Sequence, residues 1–212
     1  MDLDRIRQEA ETPSVAGPGD SDAVADDLAD AFTDDVMFDW FLRNDARRAD
    51  GRTRFFRHII RHMSQGARID RPASGGAAAV WMPFEAVGPT PLRDMIRAAP
   101  TILAATGFGR IGRLLAVMDD MEKHHPMDRP HAYLWFLGVR HAAQGRGVGS
   151  RLLASATARL DASETPAYLE TQTERNLALY RRHGFEVISE HRPRPDAPML
   201  WSMWREPRPL ED

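Results

Sequence analysis

Cysteine is absent from the 212-residue chain, which excludes disulfides, zinc–thiolate sites and a cysteine nucleophile. No apolar run approaches the roughly 18 residues that a membrane span needs. The opening Met1-Asp2-Leu3-Asp4 is acidic and lacks the apolar stretch of a signal peptide. Together these absences predict a reducing, cytoplasmic setting without a membrane partner. A strongly basic face is missing as well. Residues 1–50 hold 14 acidic and 5 basic side chains, a net of −9, so the remainder carries +6 of the overall −3. That bias is too weak for a nucleic-acid partner. It suits a small anionic ligand, and Arg140, Arg146 and Arg151 crowd around one glycine-rich turn.

The composition is that of a globular protein, with 42% apolar and 28% charged residues, enough for a real core. Residues 1–21 contain Pro13, Gly17, Pro18 and Gly19 and read as a flexible lead-in with a short edge strand near Thr12–Val15. Asp20-Ser21-Asp22 is a helix-start signal ahead of Ala23–Phe32. Further helices are expected over Met37–Leu42 and Arg52–Gln65, the latter with Phe55, Phe56, Ile59, Ile60 and Met63 on one stripe. Arg68–Asp70 and Gly76–Met82 read as strands joined by a Pro72–Gly75 turn, and Pro89–His125 as two helices broken near Pro100 and Gly107. From His131 the chain alternates: strand His131–Val139, helix Gly147–Asp161, strand Ala167–Thr171, helix Glu174–His183, then strands Phe185–Glu190 and Met199–Arg205. The expected architecture is one α/β domain over residues 22–212, a mixed central sheet of six to seven strands flanked by helices.

A strand that runs at once into a glycine turn and a helix is an anion-binding arrangement. First-turn amides have no partner within the helix, and the helix dipole adds partial positive charge. Gln144-Gly145-Arg146-Gly147-Val148-Gly149 occupies that place, and Gly147 and Gly149 allow close backbone approach and conformations closed to other residues. Two other phosphate loops are excluded by spacing. A Walker loop needs Lys-Ser or Lys-Thr where Ser150-Arg151 stands, and a dinucleotide loop needs a third glycine where Leu152 stands.

The Gln-x-x-Gly-x-Gly of Gln144, Gly147 and Gly149 resembles the hallmark of the GNAT superfamily of N-acetyltransferases. It stands in that family's order: Leu137-Gly138-Val139, loop, helix, Tyr168-Leu169-Glu170-Thr171, then Leu179-Tyr180 and Gly184-Phe185. Residues 131–190 are similar to the puromycin N-acetyltransferase branch in particular, with Arg175-Asn176 after Leu-Glu-Thr. Ala78-Ala79-Val80-Trp81 also resembles a strand of that branch. The N-terminal third, where acceptor specificity usually lies, matches only loosely.

The resemblance implies a GNAT fold, acetyl-coenzyme A as cosubstrate, no metal, and direct acetyl transfer to a primary amine of a small molecule. It implies that Leu137, Gly138 and Val139 pair with the pantetheine arm, with the Val139 amide as oxyanion donor. Amides of Gly145, Arg146, Gly147, Val148, Gly149 and Ser150 would hold the pyrophosphate. Tyr180 stands where the family places the acid that protonates the departing thiolate; its other reading is a packing residue on an amphipathic helix. Asn176 either bonds the ligand or caps backbone. Family members often carry an asparagine seven residues before the tyrosine, where this chain has Thr173. Among bases, Glu170 is the first candidate and His131 the second, each also readable as structural. Histone-acetylating relatives place a glutamate near the position of Tyr133.

Two other classes remain at this stage. One is a non-catalytic acetyl-coenzyme A sensor or partner protein that retains the loop. The other is a nicotinamide-binding protein using Gly107-Phe108-Gly109-Arg110-Ile111-Gly112, a literal G-x-G-x-x-G that resembles the loop of glyceraldehyde-phosphate dehydrogenases. Thr101–Ala105 can be read as the preceding strand and Arg113–Lys123 as the following helix, but the next expected strand ends at Arg140, where the motif requires an acidic ribose ligand. His124 and His125 are adjacent on one helix and point apart, which disfavours a shared metal with His131. Phe32, Phe38, Trp40, Phe41 and Trp81 either line an apolar acceptor pocket or fill the core.

Overall fold

The computed structural model describes residues 2–88 and 91–209. Its spine is a seven-stranded mixed sheet ordered β1-β2-β3-β4-β5-β7-β6. The strands are β1 (Ser14–Val15), β2 (Arg68–Arg71), β3 (Ala77–Pro83), β4 (Ala132–Val139), β5 (Ala167–Thr171), β6 (Glu186–His191) and β7 (Leu200–Arg205). Only the β4–β5 pair is parallel. β3 is buried along Ala77–Met82 because helices cover both faces, which is why it reads as a continuous apolar run rather than an alternation.

One face, with Ala78 and Val80, packs against α2 (Ser21–Ala31), α3 (Val36–Phe41), α4 (Arg48–His58, prolonged by a π turn over Ile59–Met63) and α6 (Ile111–His124). α5 (Leu92–Thr106) lies against α4 and α6. The other face, with Ala77, Ala79 and Trp81, packs against α7 (Val148–Ala162) and α8 (Glu174–Arg182).

Two expectations are corrected and one alternative is decided. Residues 3–9 of the expected flexible lead-in form helix α1 (Leu3–Glu9), capped by Asp2 through the Arg5 amide. Its Ile6 and the following Ala10 are buried with the α7 core, and that burial outweighs the turn-forming composition around them. Pro100 does not break a helix: α5 runs through it. There, α5 sits so close to α4 that a Cβ on Gly51 would lie 2.6 Å from the Ala104 carbonyl, and this packing overrides one lost backbone bond. The expected start at Pro89 lies outside the described residues. Finally, Gly107 to Gly112 is a corner between α5 and α6, which meet at 102°, with no strand before it. A dinucleotide loop is therefore absent there.

Gly138 sets how closely α2 lies on β4. A Cβ there would meet Leu28 Cδ2 at 2.7 Å and Ala31 Cβ at 3.0 Å. Gly138→Ala should destabilise by about 1–3 kcal/mol through overpacking, lowering Tm by roughly 2–10 °C in a thermal melt. An unchanged Tm would show that α2 can ride outward freely.

Candidate active site

β4 and β5 share register for only three residues: Ala132 with Ala167, Tyr133 with Tyr168, and Leu134 with Leu169. Beyond Leu134 the strands part, while β4 stays paired with β3 as far as Val139. Arg140 donates its amide to Gly76 on the β3 side. By strand alternation, Val139 and Leu137 turn their backbone groups to the open edge. The Val139 carbonyl accepts from Gln144 Nε2 at 3.0 Å, so the glutamine braces the loop to the strand.

The loop enters α7 through Gly145 (φ 72°) and Gly147 (φ 78°), both left-handed, a conformation that favours glycine. Gly149 is different from the expectation that paired it with Gly147: it is helical, and its open α-carbon lies over the β4 edge, 3.5 Å from Val139 and 3.8 Å from Leu137 measured from an added Cβ. No side chain caps α7. The amides of Val148, Gly149 and Ser150 are the first-turn donors left over, aimed out of the helix N-terminus. Of the three arginines expected around the loop, Arg140 is paired with Asp27 at 2.5 Å and Arg151 with Glu11 at 2.7 Å. Arg146 is exposed and has no ion pair among the described residues. The Ser150 hydroxyl is engaged with His183 Nε2 at 2.9 Å, leaving its amide rather than its side chain for a ligand.

Across the gap lies a cavity of about 220 Å³. Its lining brings together Glu170, Tyr180, Asn176 and Leu137 with Asp35 and a large apolar wall. Phe32, Phe38 and Phe41 belong to that wall. Trp40 and Trp81 do not: Trp40 bonds Asp196 and stacks under Arg113, and Trp81 packs on the opposite face of the sheet. His131 is likewise placed elsewhere. Its Nδ1 donor position meets the Arg129 carbonyl at 2.7 Å and its Nε2 meets His125 at 3.0 Å, away from the cavity lining.

Tyr180 is buried, and burial first, then the charge of Asp35, raises its pKa well above the usual phenol value. The phenol is therefore held protonated. Glu170 has a side chain only 3% exposed and accepts from the Tyr168 hydroxyl at 2.9 Å. Tyr168 also reaches Ser202 at 2.9 Å, Ser202 reaches His191 Nε2 at 3.0 Å, and His191 Nδ1 reaches Asp120 at 2.6 Å. Asp35 caps α3 by accepting from the Met37 and Phe38 amides at 3.0 Å each, and Gln172 Nε2 donates to its other oxygen. Burial raises the Asp35 pKa against the lowering pull of those bonds.

Sequence reasoning missed Asp35, Gln172 and the chain behind Glu170. An N-cap aspartate ahead of Val36-Met37-Phe38 was a readable signal for the helix. Nothing local shows that Asp35 meets Gln172, 137 positions away.

The parted parallel strands and the uncapped glycine turn thus frame one site. The family model described as acetyltransferase (GNAT) domain matches residues 101–187, which include the loop, Glu170 and Tyr180. Over those residues, about two-fifths of its length, the chain is similar to a GNAT acetyltransferase domain. A mycothiol acetyltransferase of Jonesia denitrificans is 43% identical over 61 residues, covering 27% of this chain and 19% of the relative. The chain thus matches less than a fifth of that relative's length.

Among solved structures, a Corynebacterium glutamicum protein described as histone acetyltransferase HPA2 and related acetyltransferase superposes with a TM-score of 0.67 at 24% identity, over 94% of this chain and 99% of that one. Arylalkylamine N-acetyltransferase 2 of Aedes aegypti gives 0.60 at 10% identity, over 92% and 98%. At these identities the likeness is one of fold.

Proposed function

We propose that the protein binds acetyl-coenzyme A along the β4 edge and transfers the acetyl group to a primary amine of a small molecule, with both substrates bound at once. The observation that carries this is the position of the β4–β5 opening, with the glycine loop at one end and the Glu170–Tyr180 cavity at the other. The narrower likeness to the puromycin branch rests on the sequence motifs alone.

The residues fit the donor. Leftover amides of Val148, Gly149 and Ser150, aided by the α7 dipole and Arg146, suit a pyrophosphate, with Gly145 and Gly147 keeping the loop backbone clear of side chains. The Leu137 and Val139 backbone suits an amide-bearing arm that pairs like an added strand. When bound, acetyl-coenzyme A supplies a thioester carbonyl open to attack by a neutral amine. Glu170 takes the proton the amine nitrogen must lose. Tyr180 holds a proton for the departing sulfur. A positively charged acceptor nitrogen entering beside Asp35 offsets the carboxylate charge that helps to hold the phenol pKa up, which eases that donation.

Saturating acetyl-coenzyme A, near 100 times its Kd, should raise Tm by roughly 5–10 °C, and NADH should not. Gly149→Val should erase that rise while folding normally, since its side chain would stand over Val139 and Leu137 where the arm must lie. A Gly149→Val protein with the full rise would place the donor elsewhere.

Tyr180→Phe keeps the ring and its packing against Phe185 but removes the proton. On an active amine, kcat should fall about 100-fold with little change in acetyl-coenzyme A affinity. A Phe variant at the wild-type rate would reduce Tyr180 to packing. A wild-type protein that binds acetyl-coenzyme A and acetylates no amine would instead favour a sensor.

A further inference from the structure

We propose that the acceptor is a primary amine on a compact apolar or aromatic body, and that its ammonium group is held by Asp35. This rests on the N-acetyl-transfer reading and names the substrate class for that same cavity. The lining contains two carboxylates, Asp35 and Glu170, and no lysine or arginine. Both carboxylates lie at the sheet opening: Glu170 is on β5, and Asp35 is tied to Gln172 just beyond β5. Much of the remaining wall is apolar, with Phe32, Phe38, Phe41, Phe55 and Met63, and its one imidazole, His58, is held toward the neutral form by burial.

Such a site selects by charge. An isolated carboxylate among apolar groups is stabilised by any cation that enters with it. An amino acid would have to bring its own carboxylate against phenyl rings, with no guanidinium or ammonium in the lining to meet it. A polyamine or aminoglycoside would have to desolvate a second charge or several hydroxyls on the same apolar wall. A single amine on an aryl-alkyl or branched alkyl frame incurs neither cost and gains the burial of its carbon skeleton. Asp35 remains able to accept from a further donor: its Oδ1 takes two amides and its Oδ2 takes one.

Asp35→Asn separates recognition from scaffold. Asparagine caps a helix as well as aspartate does, and Gln172 can turn its amide to present oxygen, so the α3 start survives while the charge goes. With 2-phenylethylamine, glycine and spermidine as acceptors, the wild type should favour 2-phenylethylamine by at least 10-fold in kcat/KM. Asp35→Asn should raise its KM at least 10-fold and abolish the Tm rise that 2-phenylethylamine alone produces, with the acetyl-coenzyme A rise intact. Preference for glycine or spermidine, or an Asn variant that binds 2-phenylethylamine as the wild type does, overturns the proposal. Loss of the acetyl-coenzyme A response in the wild type would instead remove the donor reading beneath it.

A separate observation, the hydrogen-bond chain behind Glu170, carries a second inference. We infer that Tyr168, Ser202 and His191 relay the proton collected by Glu170 to the surface. Asp120, His191 and Ser202 stand in the order of a hydrolytic triad, but Ser202 is fully buried and no substrate can reach it. What reaches it is the Tyr168 phenol. The transfer balances: Glu170 returns its proton to the Tyr168 oxygen, the phenol proton passes to Ser202, and the serine proton passes to His191 Nε2. The imidazolium so formed releases its Nδ1 proton to Asp120, whose side chain is 12% exposed and gives that proton up to water. The cavity can then stay closed by its acceptor while the proton leaves from behind.

Tyr168→Phe and Ser202→Ala should each lower kcat about 10-fold or more with KM for amine and donor unchanged, and the double variant should be no slower than the slower single one. In H2O–D2O mixtures the wild-type rate should bow as several protons move, and the variants should give straight lines. Multiplying effects, or an unchanged proton inventory in either variant, would show the chain to be only structural.

Discussion

Two parallel strands that hydrogen-bond for three residues and then separate are the constraint on which the site depends. Backbone donors and acceptors on a buried strand edge must find partners, and β4 past Leu134 has them on the β3 side only. The open edge is kept from collapsing by what stands around it. Asp27 on α2 takes the Gly76 amide at 2.8 Å and Arg140 Nε at 2.5 Å, fixing the end of β4 and the start of the loop to one buried carboxylate. Gln144 closes the turn back on Val139. On the far side, β5 is held away by its antiparallel ladder with β7, paired along its whole length.

The two ends of the opening have opposite electrical character. At the α7 end, uncapped amides, a helix dipole and Arg146 favour an anion. At the cavity end, Asp35 and Glu170 stand among apolar residues and favour a cation. The separation is maintained by pairing the charges that would blur it: Arg140 and Arg151 beside the loop are each neutralised by a carboxylate from the N-terminal region. The acidic first 50 residues thus serve in part as partners for the basic body rather than as a separate charged segment.

Much of the C-terminal half was legible because its chemistry is local. A left-handed Gly147 opening a helix, a strand ending in Val139, and a tyrosine one turn before Gly184 are statements about neighbours in sequence, and the chain places them where their order implies. The α1 helix was missed because its stabilisation comes from Ile6 and Ala10 meeting α7, not from its own composition. The continuity of α5 through Pro100 was missed for the same reason: the contact of Ala104 with Gly51 is invisible along the chain.

The sequence by itself determined the left-handed glycine turn that opens α7 and the strand–helix alternation around it, since each follows from spacing over a few residues and from backbone sterics. Tertiary structure alone decided which groups face one another across the opening. Asp35 meets Gln172, Tyr168 meets Ser202, and His191 meets Asp120, through contacts 137, 34 and 71 positions apart. It also sent His131 away from the cavity and Trp81 to the opposite face. The physical reason is that side-chain direction on a strand alternates with a period of two, while its neighbour across a sheet or cavity is set by register and helix packing, and neither is written in local spacing.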